Sequence, residues 1–161
     1  MRTGLIVLMV FWMAGCSPTP PKTPSYLEVT RPHSFKPTPY DYEAGKSPAW
    51  NFQARLSSLT FSCGLEASSG FSIARMGLND QAAIYNSALS ECFKYARAES
   101  DQAIATFKQG NPSPKIMDLG KDLYAKWSAY MSTMSVYSPE NRNAKTEYAT
   151  AQSALLAEEK F

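Results

Sequence analysis

The sequence predicts an all-α fold, a small four-helix bundle preceded by a proline-rich extended tether. Beyond Gly45, apolar residues recur at intervals of three and four, the period of helices buried along one face. A serine followed by proline, a side-chain cap and then a residue suited to the first helical position, opens such stretches at Ser47-Pro48, Ser113-Pro114 and Ser138-Pro139. Seven of the 11 prolines lie before Lys46, where no helical period survives. No alternating strand pattern of useful length occurs.

The amino terminus reads as a secretory signal. Arg2 supplies positive charge, Leu5 to Trp12 are apolar throughout, and Ala14-Gly15 are the small residues a peptidase needs. The apolar run is about half of the roughly twenty residues a membrane span requires. Pro18, Pro20 and Pro21 prevent its extension as a helix. Met13-Ala14-Gly15-Cys16 resembles the lipobox of bacterial lipoproteins, with Met13 where leucine is usual. The resemblance implies that residues 1–15 are removed. Cys16 then heads the mature chain, acylated on its sulfur and its amino group, and holds the protein to a membrane. By analogy with sorting in enteric bacteria, Ser17 after the cysteine implies the outer membrane, with the domain facing the periplasm.

The chain has three cysteines. With Cys16 lipidated, Cys63 and Cys92 remain, and the oxidising periplasm would let them bond. The other reading is two separately buried thiols. A bond closing a loop of about thirty residues would stabilise the fold by roughly 3–4 kcal/mol on the chain-entropy model. The formal charge of +2 includes Arg2, so the mature chain is close to balance. No basic run marks a nucleic-acid partner.

Residues 16–46 form the tether. Fully extended, about thirty residues would reach roughly 90 Å. Tyr26, Leu27, Val29, Phe35, Tyr40 and Tyr42 are more apolar than a passive spacer needs. Either they dock as an extended peptide on the domain or on a partner, or the segment is a loose linker with scattered aromatics. The only histidine, His33, lies here and reads as a solvated linker residue.

Residues 47–161 form the helical domain. A first helix from Ser47-Pro48 carries Phe52, Leu56, Leu59 and Cys63 on one face and stops near Gly64. Leu65–Leu78 reads as a packed connector, because Ser68-Ser69-Gly70 and Gly77 are loop signals. A second helix starts at Asn79 or Asp80 and buries Tyr85, Ala88, Cys92, Ala96, Ala103 and Phe107, with Glu99 interrupting the stripe; Gly110 and Pro112 end it. The third helix carries Ile116, Gly120, Leu123, Trp127, Tyr130, Met134 and Tyr137 on one stripe. A second stripe, Met117, Tyr124 and Met131, lies beside it. Its arc is wide, so this helix is either the central one or turns part of its surface to a partner. A fourth helix follows from Ser138-Pro139-Glu140 with almost no loop. Its end should fray, because Glu158 and Glu159 sit at the negative end of its dipole.

Familiar catalytic constellations are missing from the sequence. One histidine provides no base beside a nucleophile. Cys63, Cys92 and His33 do not make a zinc site. No glycine-rich phosphate loop occurs. No cofactor or metal is expected. Asp118 and Asp122, one turn apart among Lys115, Lys121 and Lys126, read as a solvated charged face rather than a catalytic pair. The expected role is a non-catalytic interaction or assembly module. Anchor, tether, disulfide and compact helical domain resemble, in architecture, pilotins and accessory lipoproteins of secretion, pilus or conjugation machines. The partner would then be a secretin or another machine subunit, held by Met117, Tyr124 and Met131 in a helix-in-groove mode. The competing expectations are an inhibitor of a wall hydrolase acting through the Leu65–Leu78 connector, and an enzyme with a carboxylate site assembled by folding.

Overall fold

The computed structural model describes residues 32–159, so the signal segment, Cys16 and the first half of the tether lie outside the described residues. Four helices follow one another up and down: α1 Pro48–Arg75, α2 Asn79–Gln109, α3 Pro114–Ser132 and α4 Arg142–Glu158. Ser47 and Ser113 accept the backbone N–H groups of Trp50 and Ile116, the caps expected for α1 and α3.

α1 does not stop at Gly64. It runs about 42 Å, to Arg75. The serines that read as loop signals are held within the helix: Ser68 Oγ donates to the Leu65 carbonyl and Ser72 Oγ to that of Ser68. Gly70 is a point of close approach to Val136 rather than a stop. The expected Leu65–Leu78 connector thus shrinks to Met76, Gly77 and Leu78, with Gly77 at φ +79° making the turn.

α3 ends at Ser132 rather than reaching Tyr137, and Ser138 does not cap α4; Asn141 does, accepting from Ala144 N–H. Residues 133–141 form a loop in which Val136, fully buried, drops into the core against Gly70. Tyr137 beside it is exposed. At the far end of α4, Glu158 pairs with Lys115 of α3 at 2.5 Å.

α1, not α3, is the central helix: it packs on α2, α3 and α4. Phe52, Leu56 and Leu59 are fully buried on it, each worth about 1.5–3 kcal/mol against exposure. Phe52 stacks on Phe107 of α2 at 4.8 Å between centroids. α3 and α4 pair with each other and close on α1 through Trp127, whose Nε1 donates to Thr60, and through Tyr148 and Gln152, both bonded to Ser57. Cys63 and Cys92 form a disulfide with 5.6 Å between Cα atoms, fully buried between α1 and α2.

The described half of the tether, 32–46, is a strap on the α1–α2 seam, not a loose linker. It runs antiparallel to α1. His33 is half-buried, 2.6 Å from Glu66 and stacked on Tyr85 at 4.3 Å, so the solvated reading of this histidine is wrong. Phe35 packs on Tyr95, and Tyr95 donates its hydroxyl proton to the Thr38 carbonyl. Tyr40 and Tyr95 flank the guanidinium of buried Arg55, which also pairs with Glu99. The charge that interrupts the α2 stripe is therefore the partner of a buried arginine. The strap ends where Glu43 N–H donates to Asn51 and Gly45, at φ +86°, turns the chain into α1.

Candidate partner-binding face

The residues expected to bind a partner lie together along the α2–α3 seam, largely inside it. Met131 is 6% exposed. Met117 and Tyr124 are half-buried, and Tyr124 stacks on Trp127 at 5.5 Å. Tyr124 separates two small cavities. One, of about 170 Å³, is bounded by Phe93, Ala96 and Met131; the other, of about 210 Å³, by Phe107, Met117 and Gly120. Met131 is core, while Met117 and Tyr124 are partly buried against it and border a cleft.

The exposed apolar surface is instead on α1. From Leu56 to Ala74 the only charged residue is Glu66, and it turns toward His33 of the strap. The solvent face between strap and α4 is Ser57, Phe61, Leu65, Ser68 and Ser72, at helical spacing and without a charge. Phe61 is 67% exposed and Leu65 50%. A soluble surface ordinarily carries a quarter or more of charged side chains, so about four helical turns without one is unusual. Reading α1 as ending near Cys63 split this face between a helix and a loop and hid it. The signal was present as the single charge between Arg55 and Arg75.

Two depressions border the face, about 370 and 200 Å³ in volume, both touching Gly64, Ser68, Tyr130 and Glu140. Across from Phe61 and Leu65 stand Tyr148 and Lys145 of α4; across from Phe71 stands Met134. Polar groups in the wall are already engaged. Tyr130 donates to Glu140 Oε1 at 2.5 Å, and Lys145 Nζ reaches both carboxylate oxygens at 2.9 and 3.0 Å. The Tyr130 hydrogen bond, then that of Lys145, holds the Glu140 carboxyl below its ordinary value, while burial and then Glu140 push the Tyr130 phenol up. Burial likewise raises Tyr148. With its rim charges neutralised against each other, the groove offers a partner mainly shape and apolar surface.

The other candidates fare differently. Asp118 is exposed and pairs with Lys121 at 2.9 Å; Asp122 is exposed as well. Among the described residues no group of three or more histidine, cysteine or acidic side chains is placed to hold a metal ion. No helix of the described residues is long and apolar enough to cross a membrane. The loop that a hydrolase inhibitor would present at Leu65–Leu78 is helix for most of its length. No family model matches the chain, and no similar curated protein or solved structure was found.

Proposed function

We propose that this protein is a lipid-anchored component of a bacterial envelope, fixed to the outer membrane through Cys16. Its helical domain is a non-catalytic binding module, an accessory subunit of a secretion, pilus or conjugation machine. The observation that carries the binding role is the uncharged face of α1 with Phe61 and Leu65 in solvent beside a groove. The buried Cys63–Cys92 bond supports an oxidising compartment. The lipobox resemblance supports the anchor.

The occupant that fits is an amphipathic helix of a protein partner. The uncharged face from Ser57 to Ser72 is about 24 Å long, enough for four turns. Ser57, Gly64, Ser68 and Ser72 keep the α1 surface low, so a partner helix can approach closely. Phe61 and Leu65 would enter between its i and i+4 side chains. The test is capture from solubilised envelopes with the full acylated chain, comparing wild type with a Phe61→Ser, Leu65→Ser variant. Recovery of a secretin or another machine subunit by wild type, reduced at least tenfold in the variant, supports the proposal. Equal recovery by both removes the α1 face from consideration. Recovery of a lysozyme-like enzyme would turn the reading to wall-hydrolase inhibition.

A further inference from the structure

The strap fixes where the tether leaves the domain. Glu43 lies beside Asn51, Tyr40 beside Arg55, and His33 beside Glu66. Followed backward through the described residues, the chain climbs α1 in the direction of the α1–α2 turn and reaches Pro32 beside Glu66. From Glu66 to Met76 is ten residues, about 15 Å along the helix. Only residues 17–31 separate Pro32 from Cys16, a reach of about 50 Å even when fully extended. The thirty-residue spacer expected from the sequence is thereby halved, and its exit beside Glu66 lies nearer the α1–α2 turn than the opposite end of α1.

That end is apolar. Met76 is 66% exposed, and Phe71, Ile73 and Leu78 lie half-buried behind it. The charges nearest along the chain, Arg75 and Asp80, are opposite in sign, and Arg75 lies over the Phe71 ring. We propose that the α1–α2 turn, residues 71–78, is the part of the domain that rests on the lipid surface, a proposal that depends on the anchor at Cys16. One methionine and three half-covered neighbours do not hold a free domain on a bilayer. A short anchored tether makes the contact intramolecular, with an effective concentration in the millimolar range, so a weak apolar contact suffices. The bundle then stands on its turn, with the Phe61–Leu65 face turned sideways toward a partner.

The test uses full-length acylated protein in vesicles of phosphatidylethanolamine and phosphatidylglycerol that contain a brominated phospholipid. A Met76→Trp variant and a Gln109→Trp variant at the opposite end each add one emitter to the shared background of Trp50 and Trp127. Quenching of the added emission should be several-fold stronger for Met76→Trp. Adding His33→Ala, Phe35→Ala and Tyr40→Ala, which together release the strap, should erase the difference. Equal quenching at both ends in protein that carries the acyl label overturns the proposal and leaves the anchor standing. A contrast that survives strap release overturns the role given to the strap. Absence of both acyl label and vesicle association means that the anchor has failed, and the proposal with it.

Discussion

Gly70 on α1 and Val136 in the α3–α4 loop approach so closely that a Cβ on the glycine would stand 2.5 Å from the valine Cγ1. It would also come within 2.8 Å of Tyr85 Cβ, so the position is hemmed in from two sides. Alanine in a helix interior gains about 1 kcal/mol over glycine, whereas overpacking costs about 1–3 kcal/mol. Gly70→Ala should therefore lower stability by up to about 2 kcal/mol. Val136→Ala in the same chain should recover part of the loss. Thermal melts of the two single variants and the double variant check this; a stabilised Gly70→Ala would contradict the contact.

Removing the disulfide should have a larger effect. Cys63 and Cys92 are 29 residues apart and fully buried. A Cys63→Ala, Cys92→Ala variant should lose about 3–4 kcal/mol, read as a fall in the denaturant midpoint. Native protein should resist mild reductant, because the sulfurs are reached only when the helices part. Prompt reduction without unfolding, followed by mass after thiol labelling, would argue against that burial.

The two candidate surfaces should separate in a pair of substitutions. Met131→Ala should cost about 2–5 kcal/mol, because its side chain is core. Phe61→Ser should change stability by no more than about 0.5 kcal/mol, as exposed positions do, and should weaken partner capture. Stability that barely moves in Met131→Ala would restore the α3 stripe as a binding surface.

What could be read from the sequence and what could not divide along physical lines. The α1, α2 and α3 starts were legible because serine–proline caps and an acidic first turn are local chemistry. The apolar stripes were legible because burial imposes a period. Ser68-Ser69-Gly70 misled because serine and glycine break a solvated helix, yet here the serine hydroxyls bond back along the helix and Gly70 admits Val136. Ser138-Pro139 carried a sound cap signal, but Glu140 is bonded back to Tyr130 of α3 and the helix begins after Asn141, which caps it instead. His33 and Glu66, or Arg55 and Glu99, are 33 and 44 positions apart, and no spacing rule reaches across such separations. The uncharged face of α1, the proposed binding face, depended on the length of that helix, so it was lost with the misplaced boundary.

Acid should loosen the α3–α4 loop. The Glu140 carboxyl is held below its ordinary value of 4.5 by the Tyr130 hydroxyl and then by Lys145. A depressed carboxylate stabilises the fold fully above its unfolded value, and the contribution fades as pH falls through the lower folded one. Wild type should therefore melt above Glu140→Gln at pH 6, and the two should converge as pH drops below 4.5. A gap that stays constant down to pH 2 would show that the carboxylate charge contributes nothing there.

The disulfide joins α1 to α2 and leaves the α3–α4 pair fastened by side-chain packing and hydrogen bonds alone. The bundle is thus two hairpins of unequal tenacity. Amide protons of α3 and α4 should exchange with solvent through a partial opening that the cross-linked pair does not share, in which Trp127 leaves Thr60 while Phe52 stays on Phe107. The same opening would uncover the inner side of α1, so the helix that bears the proposed binding face also borders the weaker of the two hairpins.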